Sequence, residues 1–142
     1  MNPYEKKLIT GSLCSKKSSV SGRIVAVMNS KLARRGLRLI SSHTRVLLKG
    51  EIHELIITDE DDAGPEKTVN SIAYVGFVEM EQGGVVATSD MVTLKGKHIG
   101  EIVGFDETHA PNHLNIVIKA AQRKSGKELG VELGDSLTIG EI

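Results

Sequence analysis

The sequence predicts a mainly β protein: a single domain over residues 1–142, built as a closed or partly open β-barrel with one or two short helices. Three observations carry that expectation. The apolar residues fall in short Val- and Ile-rich runs punctuated by Gly, Asn, Asp and Ser, the pattern of strands and turns. Helix signals are confined to two short stretches. The 142 residues, 39% hydrophobic and 25% charged, have the size and composition of one ordinary globular domain. With two Phe, two Tyr and no Trp, the core has to be made of Val, Ile, Leu and Ala.

Taken in order, Arg23–Met28 is a β-branched run bounded by Ser-Gly and Asn-Ser. Thr44–Leu48 and Ile52–Thr58 flank Lys49-Gly50-Glu51, which reads as a hairpin turn. Asp59–Lys67 is an acidic loop. Ile72–Met80 reads as a long strand that turns at Gly83-Gly84 into Val85-Val86. Met91–Leu94 and Ile99–Phe105 are strands joined through Lys95-Gly96-Lys97, and Leu114–Ile118 and Ser136–Ile139 complete the set. The helical expectations are a turn over Lys31–Arg35, capped by Ser30 and stopped by Gly36, and a turn from Ser125, where Ser125 and Glu128 have capping-box spacing ahead of Gly130.

One internal echo stands out. Asp90-Met-Val-Thr-Leu94 and Asp135-Ser-Leu-Thr-Ile139 share the pattern Asp-x-apolar-Thr-apolar, 45 residues apart, and Asn70 lines up with Asn115 at the same offset. A tight turn feeding an alternating strand would explain both copies, and a duplicated strand unit suits a pseudo-symmetric barrel.

Charge is zero overall but lopsided. Residues 1–58 carry eleven Lys/Arg against three Glu, whereas residues 59–142 carry seven against fifteen Asp/Glu. Either the halves interleave and neutralise each other, within one chain or across a homo-oligomer contact, or the first half presents a basic surface to an anionic ligand. No apolar run reaches the ~18 residues of a membrane span. The N-terminus lacks a signal-peptide stretch, and Cys14 is the single cysteine, so a cytoplasmic location without disulfides is expected.

The densest polar constellation is Asp106-Glu-Thr-His-Ala-Pro-Asn-His-Leu-Asn115. Asp106, Glu107, His109, His113 and Asn115 offer the oxygen and imidazole donors that a divalent metal takes, or a histidine with a neighbouring carboxylate for proton transfer. A polar loop using these side chains to satisfy its own turns is the competing reading. Arg34, Arg35 and Arg38 form the second candidate, as counter-charges for phosphate or carboxylate, with a solvated face as the alternative. That cluster has no aromatic residue to stack on a base, which argues against nucleic acid. His43, His53 and His98 read as surface residues. Nucleophile-elbow, phosphate-loop and dinucleotide motifs are missing from the sequence.

Two segments carry a family resemblance. Lys127–Ile139, with Gly134-Asp135 entering a strand, resembles the Gly-Asp box of cradle-loop (RIFT-like) β-barrels. Pro111-Asn-His-Leu-Asn115 resembles the Pro-Gly-Thr-Leu-Asn segment of the archaeal CTP-dependent riboflavin kinases, which share that fold. In those kinases the Thr and Asn hold Mg2+ and the flavin phosphate. Here Pro111, Leu114 and Asn115 match, while Asn112 and His113 replace the Gly and the Thr, and a nucleotide-binding segment is not evident. The resemblance implies a cradle-loop barrel with a ligand site around Asn115, and it does not imply kinase activity. As a whole the chain is also similar to bacterial families of about this length with no assigned function.

The expected function is therefore binding of a small anionic ligand, phosphorylated compounds included, with a divalent metal as a further expectation. Arg34, Arg35, Arg38, His113 and Asn115 would touch the ligand. The alternative is a non-catalytic homo-oligomeric or partner-binding module, and whether the site catalyses a reaction is open between these readings.

Overall fold

The computed structural model describes residues 16–141. They form twelve strands: β1 (Val20–Val27), β2 (Lys31–Leu32), β3 (Leu37–Arg38), β4 (Thr44–Leu47), β5 (Ile52–Thr58), β6 (Thr68–Val69), β7 (Ile72–Gln82), β8 (Gly84–Ala87), β9 (Met91–Leu94), β10 (Lys97–Asp106), β11 (Asn115–Lys119) and β12 (Ser136–Gly140). Seven strands pair in the cyclic order β1-β12-β9-β10-β11-β5-β7, and β7 pairs back onto β1. Every neighbour in this ring is antiparallel except β5 and β11, which are parallel. β2 adds to β7, while β3–β6 and β4–β8 form two-stranded ribbons.

Alternation along the strands divides the core. All seven ring strands contribute to one buried cluster, including Ile24, Leu55, Ile57, Val78, Val92, Ile102, Ile116, Ile118 and Leu137. The opposite face of the same strands supplies Ile56, Ile72 and Val117 to a second cluster, which Leu37 and Val69 of the β3–β6 ribbon and Leu39 just after β3 cover. The β5 residues Leu55, Ile56 and Ile57 are at most 1% exposed, because that strand is covered on both faces.

The internal echo is a structural duplication. Asp90 and Asp135 each close a tight turn: the Asp90 carboxylate accepts Ala87 N–H at 2.8 Å and the Asp135 carboxylate accepts Glu132 N–H at 2.7 Å. The residue before each has positive φ, Ser89 at 77° and Gly134 at 87°. Ser89 N–H donates to Ile102 O and Ile102 N–H to Asp90 O, and Gly134, Ile24 and Asp135 repeat both bonds. β9 and β12 then pair with Thr93 opposite Thr138, so a local two-fold passes between the two threonines. Under it β10 corresponds to β1. Gly100 and Gly22 occupy matching places, where a Cβ would come 2.2 Å from Lys119 O and 2.6 Å from Glu79 O respectively. Asn70 and Asn115 are not equivalent, however. Ile24 faces Val78 and Ile102 faces Ile118, which makes Val75 the counterpart of Asn115.

Several local expectations give way to tertiary pairing. No helix occurs among the described residues. Ser125–Gly130 does form its capping box, Ser125 N–H donating to Glu128 Oε1 at 3.0 Å and Glu128 N–H to Ser125 Oγ at 3.2 Å, but the turn stops after one cycle at Gly130 (φ 73°). Lys31–Arg35 is not helical. Lys31 and Leu32 pair with Ala73 and Ile72, and the Asn70 backbone and side-chain oxygens accept Arg35 N–H and Gly36 N–H. A lone helical turn pays nucleation for one bond, whereas the edge of β7 offers ready partners. Lys49–Glu51 does reverse the chain, yet β4 and β5 are not a hairpin, since β4 pairs with β8 and β5 with β7 and β11. Gly83 is a close-packing point rather than a reversal, its Cβ position lying 2.5 Å from Leu47 O.

The charge halves interleave within one chain. Lys17, Arg23, Lys31 and Arg45 from the basic half pair with Asp90, Glu81, Glu128 and Glu107 from the acidic half. Of these, Lys17–Asp90 is buried, at 2.6 Å. The two equivalent turns should therefore respond unequally to loss of the aspartate. Asp135→Ala should cost about 1 kcal/mol, the worth of an exposed turn bond. Asp90→Ala should cost about 3–5 kcal/mol, because it strands the buried Lys17 ammonium. Denaturant melts of the two variants check this, and equal losses would contradict it.

Candidate functional site

The parallel pairing of β5 with β11 sets Glu54 opposite Asn115. Phe77 faces Glu54 from β7, and Asp106 faces Asn115 from β10. The result is a row across four strands, Phe77–Glu54–Asn115–Asp106, with Glu54 5%, Asn115 2% and Asp106 2% exposed. Asp106 ends β10 and organises the loop that follows. Its carboxylate accepts Thr108 Oγ1–H at 2.7 Å, Thr108 N–H at 3.2 Å and Asn115 Nδ2–H at 2.9 Å. A carboxylate only accepts, so Asn115 must turn its amide nitrogen to Asp106 and leave Oδ1 pointing away.

The loop from Glu107 to Leu114 folds back over this row and meets the β4–β5 segment. Between them lies a cleft of about 300 Å³ walled by Arg45, Glu51, His53, Glu107, Pro111 and His113. Arg45 Nη1 donates to Glu107 across the mouth. His53 accepts Leu114 N–H at Nδ1 (3.0 Å), so its ring proton sits on Nε2, which donates to Glu51 Oε1 (3.1 Å). Glu51 also accepts Leu48 N–H, the main reason its carboxyl lies below the ordinary value. His113 stacks on His109 with ring centroids 5.0 Å apart and takes Phe77 edge-on at 5.1 Å.

Three buried side-chain atoms have no hydrogen-bond partner among the described residues: Arg45 Nε, His113 Nε2 and Asn115 Oδ1. All three belong to this region. His113 Nε2 stands 3.5 Å from Glu54 Oε1, with side chains 13% and 6% exposed. Burial pushes the Glu54 carboxyl up to about 7, against the pull of Arg35. Burial, then the neighbouring His109 and His53, push His113 below the usual imidazole value, while the Asn115 side chain and Asp106 act the other way. Desolvation thus favours the uncharged form of both partners.

The structure brings together Asp106, His109, His113 and Asn115 of the expected loop, but with separate tasks. Asp106 builds the turn, His109 covers His113, and Glu107 is held by Arg45. No group of three or more His, Cys, Asp or Glu side chains that could hold a metal ion occurs among the described residues. Arg34 and Arg38 are exposed, Arg35 Nε donates to the Tyr74 hydroxyl at 3.3 Å, and none of the three walls the cleft. Cys14 lies outside the described residues. His53, expected at the surface, is only 8% exposed. The residues that sequence reading passed over are Arg45, His53 and Glu54. For His53 and Glu54 the available signal was ionisable side chains inside the otherwise apolar run Ile52–Thr58, a strand too apolar to have a solvent face.

Glu54 gives a signed pH dependence. A carboxyl that binds its proton more tightly when folded loses stability as pH rises from its ordinary value near 4.5 to about 7. Glu54→Gln removes that loss. Melts at pH 5 and pH 8 should show the variant gaining on wild type by about 1–3 kcal/mol across the interval. A difference that stays constant with pH would contradict the burial argument.

No helix among the described residues is long and apolar enough to cross a membrane. The chain has no match among the curated proteins or the solved structures. A family model, described as a family of unknown function, DUF6917, matches residues 14–140, nearly the whole chain. The chain belongs to the DUF6917 family.

Proposed function

We propose that this chain is a small-molecule-binding β-barrel of the cradle-loop kind, whose ligand carries an oxyanion seated beside Arg45 in the cleft. One observation carries the reading: Arg45 and His113 wall the cleft and Asn115 lies behind it, and Arg45 Nε, His113 Nε2 and Asn115 Oδ1 are buried without a hydrogen-bond partner among the described residues. Buried polar groups in folded proteins are nearly always paired, so a cluster of unpaired ones marks a place completed by a bound molecule. Among the described residues Arg45 is the only Lys or Arg on the cleft wall, and its fork suits phosphate, sulfate or carboxylate. The two wall carboxylates do not oppose an anion freely. Glu51 is engaged by His53 and Leu48, and Glu107, with a side chain 38% exposed, can leave Arg45 for solvent. The barrel reading is supported by the cyclic strand order, by the duplicated Asp turns, and by the Gly134-Asp135 turn that enters β12.

The test is a thermal-shift series with sulfate, inorganic phosphate and small phosphomonoesters. A ligand that binds only the folded state, at 100 times its Kd, adds about 2.7 kcal/mol. The melting temperature of wild type should rise with anion concentration and saturate, and Arg45→Ala should abolish the rise. No shift with any of these anions, or an equal shift in Arg45→Ala, would reject the reading.

A further inference from the structure

We propose that anion binding in this cleft is coupled to proton uptake by the buried Glu54–His113 pair, so that the site takes its oxyanion together with a proton. The inference rests on the oxyanion reading and adds a regulation to it. His113 forms part of the cleft wall, and behind it, 3.5 Å from Nε2, lies Glu54 Oε1. Nε2 is buried and has no hydrogen-bond partner among the described residues, so Glu54 is the ionisable group that this ring nitrogen faces.

The surroundings decide how many protons the pair holds. From β10 Asp106 faces it, and from β11 the Asn115 side chain. From the same loop His109 stacks on it, and from β5 His53 lies near. The Arg35 charge acts on Glu54 from the segment after β2, β7 contributes the uncharged ring of Phe77, and the Arg45–Glu107 and Glu51 charges lie across the cleft. Without a ligand, burial first and then the neighbouring imidazoles of His109 and His53 lower the hold of His113 on its proton, while burial raises the Glu54 carboxyl to about 7. An anion on Arg45 brings negative charge to the cleft face of His113. It favours the imidazolium and the carboxylic acid over their deprotonated forms, and the added proton comes from solvent. By linkage the reverse holds equally: protonating the pair tightens the anion.

Isothermal titration with sulfate tests this, because sulfate keeps one charge over the whole range. Between pH 8 and pH 6 its affinity should rise, by up to about tenfold per unit. At pH 7, comparison of Bis-tris and Tris, whose ionisation enthalpies differ, should show uptake of roughly half to one proton per sulfate. Glu54→Gln and His113→Gln should each reduce that uptake, Glu54→Gln as a near-isostere that keeps the strand row intact. Sulfate binding with pH-independent affinity and no proton uptake would overturn the coupling and leave the oxyanion site standing. Uptake unchanged in both variants would overturn the assignment to this pair, and no sulfate binding at all would overturn both proposals.

Discussion

The one parallel pairing in the ring, β5 against β11, is where the two duplicated units meet away from their local two-fold axis. β9 and β12 relate the units symmetrically on the other side, each followed outward by an antiparallel neighbour, β10 and β1. At β5 the symmetry ends, because a single strand pairs antiparallel with β7 and parallel with β11. That register sets Glu54 beside Asn115, draws Glu54 N–H to Leu114 O at 2.9 Å, and brings the end of the Glu107–Leu114 loop against His53. The cyclic strand order and the meeting of Glu54, Asn115 and His53 with the polar loop depend on it.

The duplication explains the shape of the site. The connection from β10 to β11 is short, and it contains only the polar loop. Its counterpart from β1 to β7 holds β2 to β6, including the segment that carries Arg45, Glu51 and His53. The cleft is thus the gap between a long connection from one unit and a short one from the other. Glu107 of the short loop reaches Arg45 of the long one, and Leu114 reaches His53. A cleft between units whose connections differ in this way does not need two-fold symmetry, and this one lacks it: Val75 and Met28, the counterparts of Asn115 and Asp106, make a backbone bond instead, with Met28 N–H donating to Val75 O.

Burying Glu54, Asp106 and Asn115 in one row is costly unless the polar groups answer each other. Asp106 is well satisfied, with three donors on its two oxygens. Glu54 instead faces His113 Nε2 at 3.5 Å, and burial pushes its carboxyl up to about 7. The contrast gives the row two ends: a rigid one that anchors the loop, and a soft one, beneath His113, whose charge can change.

Much of the fold was legible in the chain itself. Val- and Ile-rich runs between turn residues marked most of the strands, and the Asp-x-apolar-Thr-apolar echo marked a real pair of turns, because both depend on neighbours in sequence: alternation, turn chemistry, and the reach of an aspartate to an amide three residues back. The polar loop from Asp106 to Asn115 was visible for the same reason, and Asp106, His113 and Asn115 do belong to the candidate site. What sequence could not carry was anything set by partners far along the chain. Lys31–Leu32 became a strand because the edge of β7 lay open to it. His53 and Glu54 are buried because β5 is covered on both faces, and Arg45 enters the cleft because β4 left its sequence neighbour β5 to pair with β8. Local preferences of about a kcal/mol chose the turns and strands, whereas the register of long-range pairing chose which ionisable groups would meet out of water.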